Sequence, residues 1–255
     1  MRGLASPEAD YGNWVPMRFI LVPALIALLF SVLALVIPLL YIVAVILFLS
    51  ALYFAYARYL FSPKGGDIQT KVQGLVLENL RDWDGAGKAL DIGCGNGPLT
   101  IQIAQRYPQA EVTGIDNWGT AWEYSKQICD RNAAIEQVAE QVTFQRADAS
   151  SLPFEDGTFD VAVSNLVFHE ARNEKDKKLL LKEALRVVKE GGCFVFQDLF
   201  LWKLVYGDAK PLLETIRDWG IGTVELVDTS TSEFIPTLLK LPFMLGTVGI
   251  LFGKK

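Results

Sequence analysis

Residues 89–97 read Ala-Leu-Asp-Ile-Gly-Cys-Gly-Asn-Gly, a spacing suited to a nucleotide-like ligand. The apolar start reads as a buried strand ending in an acid, Asp91. Gly93, Cys94, Gly95 and Gly97 read as a tight turn, and Pro98 as the first residue of a helix. Glycine has no Cβ and tolerates positive φ, so such a turn lets backbone come close to a ligand. The dinucleotide fingerprint is G-x-G-x-x-G, with its acid about 20 residues further on. Here the spacing is G-x-G-x-G, Pro98 stands where the third dinucleotide glycine would fall, and an acid precedes the first glycine. This spacing disfavours a nicotinamide-dependent oxidoreductase.

Other polar residues follow strand-like runs. Asp116 closes Val112-Thr113-Gly114-Ile115, Asp148 lies in Ala147-Asp148-Ala149, and Asn165 follows Ser164. In doubly wound sheets ligands bind beyond the carboxyl ends of the strands. Asp91, Asp116, Asp148 and Asn165 all fall at or near such ends. Just past Asn165, His169 and Glu170 are candidate acid–base groups. His169 is the only histidine of the chain.

The elements needed to hold these residues alternate. Strands are expected near 88–92, 111–115, 142–146, 159–164, 193–198, 223–228 and 247–252. Helical spacing lies between them, at 98–106, 120–132 and 176–188, with an earlier helix over 67–82. Alternating strands and helices predict an α/β fold with a doubly wound, mainly parallel seven-stranded sheet.

The run at 89–97 resembles motif I of the class I S-adenosylmethionine-dependent methyltransferases, (hydrophobic)-x-D-x-G-x-G-x-G. The resemblance, closest to the UbiE-like members, continues through Val112–Asp116, Ala147–Ala149, Leu152-Pro153-Phe154 and Phe159-Asp160-Val161. It also covers Leu185–Gly192, where Glu190 replaces the usual proline. It spans residues 67–255 and implies a Rossmann-like methyltransferase domain using S-adenosylmethionine. By this resemblance the glycine turn passes under the cofactor, with main-chain N–H groups facing it. Asp91 acts near the methionine ammonium and Asp116 accepts from both ribose hydroxyls, two oxygens suiting a vicinal diol. Asn117 and Trp118 line the adenine, Asp148 accepts from its amino group, and the Ala149 N–H donates to a ring nitrogen. His169 and Glu170 lie on the acceptor side, where a base is needed only if the acceptor must lose a proton.

Composition narrows the acceptor. The net charge is −5, which argues against a nucleic-acid substrate. No N/D-P-P-Y follows residue 164, and no proline–cysteine nucleophile is present. Three unpaired cysteines and a single histidine leave no metal-site pattern.

Residues 19–61 are nearly all apolar, with Arg58 the one charge. As a single helix they would extend about 65 Å, roughly twice a hydrocarbon core of ~30 Å. Pro38 disfavours helix at Ile37, which predicts two membrane spans, 19–37 and 39–60, folded as a hairpin, with a kinked, re-entrant or interfacial pair as the competing geometry. Residues 1–18 form a juxtamembrane segment and 62–66 (SPKGG) a linker. Basic residues at both ends place them in the cytoplasm by the positive-inside rule. The expectation is a membrane-anchored methyltransferase with a cytoplasmic catalytic domain, acting on a hydrophobic small molecule: a lipid, quinone, or apolar thiol or phenol. A non-catalytic cofactor-binding scaffold or sensor is the alternative. The apolar stretches 199–206 and 234–245 are either core elements or a hydrophobic substrate mouth.

Overall fold

The computed structural model of the protein describes residues 8–119 and 123–255. Two compact units divide the chain. One comprises residues 13–72. The other comprises 73–255 together with the described residues before 13.

In the first unit, α1 (Arg18–Leu33) and α2 (Leu40–Phe61) form a helical pair joined by a short turn. Phe19 meets Phe54 with ring centroids 5.5 Å apart, so the start of α1 lies against the end of α2. The segment before α1 is tied to the same end. The Asn13 amide donates to the Arg58 carbonyl at 3.0 Å, and Trp14 packs edge-on against Phe61. The expected first span is not formed as drawn. The chain leaves the helix at Leu33, and residues 34–39, which include Pro38, form the turn. At 1.5 Å per residue the 16 residues of α1 extend about 24 Å, short of a ~30 Å core. Among the described residues only α2, with 22, is long and apolar enough to cross a membrane.

Next comes α3 (Ile68–Glu78), shorter than the expected 67–82. The larger unit then alternates as its hydrophobic pattern requires. The order is β1 (Gly87–Ile92), α4 (Pro98–Arg106), β2 (Ala110–Asp116), α5 (Lys126–Ile135), β3 (Val142–Arg146), β4 (Phe159–Asn165), α6 (Lys177–Arg186) and β5 (Val188–Asp198). It continues with α7 (Lys203–Tyr206), α8 (Ala209–Asp218), β6 (Thr223–Asp228) and β7 (Gly249–Lys254). The sheet order is β3-β2-β1-β4-β5-β7-β6, parallel except for β7, which runs antiparallel to both neighbours. Strand order reverses between β1 and β4, the switch point at which such sheets open a ligand crevice.

Helix α5 begins at Lys126 because the Ser125 hydroxyl caps it, accepting from the Ile128 N–H at 3.3 Å. The first residues of the expected 120–132 helix, 120–122, lie outside the described residues. Helix α6 is capped by Asp176 in the same way. Side chains on the two sheet faces pack into separate cores. Leu90, Ile92, Phe194 and Phe196 belong to one; Ala89, Val161, Val163 and Val195 belong to the other.

The two apolar stretches are mixed. Leu199, Phe200 and Tyr206 are buried, whereas Leu204 is exposed. In 234–245, Ile235, Leu239 and Leu245 are buried, whereas Leu238 and Phe243 face outward.

Candidate active site

The glycine turn after β1 is bound mainly to itself and to β2. The Gly93 and Cys94 N–H groups both donate to the Ile115 carbonyl, at 2.7 and 2.9 Å. The Gly95 N–H donates to Asp116 Oδ2 at 2.9 Å, and the Gly97 N–H to the Cys94 carbonyl at 2.8 Å. These main-chain donors hold the turn's shape rather than facing a ligand. Glycine is required at 93, where φ is +76° and a Cβ would stand 2.2 Å from Val167 Cγ2. Gly97 is the left-handed cap of α4, with Pro98 next to it. Cys94 is buried; burial first, then the neighbouring Cys129 and acids, push its thiol well up, so it is not a nucleophile.

Asp91 lies beneath the turn. It is buried, and its Oδ2 accepts from the Thr100 hydroxyl of α4 at 2.6 Å. Burial pushes its carboxyl up to about 7, against the lowering effect of Thr100. This bond ties the end of β1 to the first turn of α4.

Asp116 ends β2. Its Oδ1 accepts from the Trp118 N–H at 2.7 Å, while Oδ2 holds Gly95. Burial raises its pKa; the main-chain bonds work in the other direction. Each carboxylate oxygen has two lone pairs, so both retain acceptor capacity for a diol. Trp118 turns back over the glycine loop, its indole N–H donating to the Gly95 carbonyl at 2.9 Å.

Beyond the ends of β2 and β3 an open cleft of about 390 Å³ is lined by Asn117, Gly119, Arg146, Ala147, Asp148 and Asn173. Asn117 and Asp148, expected at the adenine, both line it, and Trp118 does not. Asp148 Oδ1 accepts from the Ser150 N–H and hydroxyl, at 2.8 and 2.7 Å, and Oδ2 accepts from the Asn173 amide. Burial opposes its charge, but these donors prevail and hold it below the usual carboxylate range. Ala149 packs at the edge of the first core cluster. Arg146 and Asn173 carry no motif, and sequence reasoning missed them.

A further element was also missed. Residues 10–12 strap across the glycine turn. The Asp10 N–H donates to Asn132 Oδ1 at 2.9 Å, and the Asn132 amide returns a bond to the Asp10 carbonyl at 2.9 Å. That amide also donates to the Asn96 carbonyl at 3.0 Å, and the Asn96 amide reaches the Asp10 carbonyl at 3.2 Å. Asn96, between Gly95 and Gly97, is thus held from two directions.

A 3₁₀ turn, Phe168–Glu170, follows β4. It places His169 Nδ1 2.6 Å from Oδ1 of Asp198, the last residue of β5. The His169 N–H approaches Asp198 Oδ2 at 3.2 Å, and the Leu199 N–H donates to Oδ1 at 2.6 Å. Asp198 is fully buried. Burial lowers the imidazole pKa, but the Asp198 charge and hydrogen bond, with Glu170, outweigh it and hold His169 above its ordinary value. Nε2 remains for a proton, with Glu170 Oε1 3.8 Å away. Tyr206 is buried near enough for its hydroxyl to be pushed well up by burial and then by Asp198, without a hydrogen bond of good geometry between them. Asn165 ends β4 beside these groups. No single motif marks Asp198; the only signal was an acid closing the fifth strand.

Comparison with known proteins shows the family and the fold. Residues 89–192 match the methyltransferase-domain family. The chain is 32% identical over 194 residues to a ubiquinone/menaquinone biosynthesis C-methyltransferase of Desulfotalea psychrophila, covering 67% of this chain and 74% of that protein. It is 38% identical over 109 residues to a demethylmenaquinone methyltransferase of Staphylococcus aureus, a match spanning 42% of this chain and only 41% of the relative. Among solved structures, a geranyl diphosphate C-methyltransferase of Streptomyces coelicolor bound to S-adenosyl-L-homocysteine superposes with a TM-score of 0.57. It is 14% identical and covers 75% of this chain and 80% of that one. The [4+2]-cyclase SpnF aligns at 0.52, with 22% identity over 72% and 78% of the two chains. These two likenesses concern the fold.

The fold and site define a class I methyltransferase. The chain belongs to the S-adenosylmethionine-dependent methyltransferase family, with UbiE-like relatives, and its cofactor is S-adenosylmethionine.

The residues present fit that cofactor. Asp116 offers acceptor capacity at the end of β2, and the cleft between Asn117 and Asp148 has an amide and a carboxylate for a purine edge. Held by these residues, the cofactor would supply an electrophilic methyl group on a sulfonium. The chain's own contribution is to hold donor and acceptor in line, a large part of such rate acceleration.

Proposed function

We propose that this enzyme methylates a hydrophobic small molecule bearing an ionisable ring oxygen, a quinol or phenol, with His169 as proton acceptor. The observation that carries this reading is the His169–Asp198 pair at 2.6 Å, which leaves Nε2 to take a proton. A quinol or phenol becomes nucleophilic, at oxygen or at ring carbon, when its hydroxyl proton is removed. The UbiE-like relatives are named for quinone methylation, which supports the class. Glu170 stands close enough to stabilise the imidazolium that results.

The same reading assigns Asp91, Gly93, Cys94, Gly95, Gly97, Asp116, Asn117, Trp118, Asp148, Ala149 and Asn165 to the cofactor pocket. Asp91, the glycines and Cys94 act by shaping the turn. Asp116, Asn117 and Asp148 act by direct contact.

We further propose that the apolar helices hold the enzyme at a lipid bilayer, with the catalytic domain on the cytoplasmic side. Helix α2 exposes Ile42, Ile46, Leu49 and Leu52, and its one charge, Arg58, lies in its last turn. Such a location concentrates the enzyme where quinones and lipids dissolve.

The test is turnover of the full-length protein with reduced short-chain demethylmenaquinone and labelled cofactor, read by mass spectrometry of the product. Transfer of label to the ring or its oxygen is expected. Cofactor binding without S-adenosylhomocysteine formation, across quinols, phenols, thiols and lipids, would instead favour the non-catalytic scaffold.

A further inference from the structure

Asn165 and Gln197 are register partners at the ends of β4 and β5. Gln197 is fully buried, and neither its amide nitrogen nor its amide oxygen has a hydrogen-bond partner among the described residues. The Asn165 carbonyl oxygen is buried and unpaired in the same way. Their surroundings cannot help. Strand alternation puts Gln197 in line with Cys193 and Val195, and its partner on β7 is Ile250. Buried amide groups left without partners cost folding free energy, and native proteins seldom retain several side by side without a use for them.

The position of Gln197 separates it from the cofactor residues. Asp91, Asp116 and Asp148 belong to β1, β2 and the end of β3, on one side of the switch point. Gln197 lies on the other side, two strands from β1, or about 10 Å at ordinary strand spacing. The Leu166 N–H donates to the Gln197 carbonyl at 2.7 Å, and Leu166 has a φ of +57°. The chain therefore turns sharply off the sheet directly after Asn165, at the carboxyl ends of β4 and β5.

We propose that Gln197 forms a polar subsite for the methyl acceptor, binding a neutral oxygen function of its ring. The Gln197 amide nitrogen donates to that oxygen. The Gln197 side-chain oxygen accepts if the acceptor oxygen carries a proton. A side-chain amide offers donor and acceptor without charge, so it fits a hydroxyl or ketone rather than a carboxylate or phosphate. The subsite rests on the reading that the acceptor lies past β4 and β5 beside His169.

The experiment measures binding of 1-naphthol and of 1-methylnaphthalene, which replaces the hydroxyl with a methyl, to the full-length protein in the presence of S-adenosylhomocysteine. The wild type is expected to prefer the naphthol by about tenfold, the effect of one or two hydrogen bonds to otherwise unpaired groups. Gln197→Leu should lose that preference, keep its affinity for S-adenosylhomocysteine, and unfold at the same or a higher temperature because the orphaned atoms are gone. If Gln197→Leu does not fold, Gln197→Met gives the same readout. A variant that keeps the preference, or one that loses cofactor affinity instead, overturns the subsite. Equal wild-type affinity for both compounds overturns it while leaving the acceptor class intact. Failure of the wild type to bind either compound overturns the acceptor class and the subsite together.

Discussion

His169 Nδ1 stands 2.6 Å from Asp198 Oδ1, joining a residue just past β4 to the last residue of β5, its neighbour in the sheet. The carboxylate is buried, so it fixes the imidazole's orientation and tautomer and stabilises its protonated form. Because Asp198 holds the histidine pKa above 6.5, the neutral base accumulates only as pH rises past that value. Turnover should therefore climb through an ionisation above pH 6.5. Asp198→Asn should move this limb to lower pH and reduce the maximal rate. His169→Ala should reduce kcat by about 10²–10⁴-fold, the usual contribution of a positioned base, with little change in cofactor affinity. A pH–rate profile of the three proteins checks this, and an unchanged rate in His169→Ala excludes the role.

Asp91 makes the fold itself sensitive to pH. Its carboxyl is pushed from 3.8 to about 7, so the folded protein holds a proton that the unfolded chain has released between about pH 4 and 7. The native state binds more protons across that window, and stability falls as pH rises through it, by at most about 1.4 kcal/mol per pH unit. Asp91→Asn keeps a partner for the Thr100 hydroxyl and cannot ionise. Urea unfolding of both proteins at pH 5, 6 and 7.5 should show the wild type losing stability relative to the variant, by about 2 kcal/mol or more over the range. Parallel curves would show that Asp91 does not titrate there.

Asn132 ties residues 10–12 and the glycine turn to α5 through three hydrogen bonds. Asn132→Ala leaves the Asp10 main chain and the Asn96 carbonyl without those partners, at a cost of about 2–4 kcal/mol. Denaturant unfolding gives the stability loss. Calorimetry should also show cofactor affinity several-fold weaker, because Asn96 lies inside the turn. A stability loss with unaltered affinity would confine Asn132 to the scaffold.

The apolar surface of α2 predicts partition into lipid. Ile46 is well exposed on this helix, and Ile46→Glu places a charge on it. Wild-type protein should float with phosphatidylcholine vesicles in a density gradient, and the variant should shift toward the soluble fraction. Equal flotation would show that α2 does not carry the attachment. Activity on a water-soluble phenol should be the same for both.

How much was legible in the sequence follows from which residues interact locally. The seven strands appear close to their expected positions because each buried strand is a short apolar run bounded by turn residues, and α4 spans Pro98–Arg106 as its cap and proline require. The run at 89–97 indicated a nucleotide-like ligand, and its resemblance, with the later motifs, to a known family implied the cofactor. The helix ends were less legible. Helix α1 stops at Leu33 and α5 starts at Lys126, where a turn and the Ser125 cap override an uninterrupted pattern.

By itself the sequence determined the element order and the apolar segment, since these depend on residue spacing within a few turns of chain, and its ordered motifs carried the family resemblance that implied the cofactor. The tertiary structure alone decided the partners. It brought Asp198 to His169 across 29 residues and Asn132 to Asp10 across 122. It spent most of the glycine-turn N–H groups on Ile115 and Asp116, and it left Gln197 buried without a partner. Such relations depend on which strands become neighbours in the sheet and in what register. The long-range burial of apolar faces sets that pairing, and no local pattern contains it.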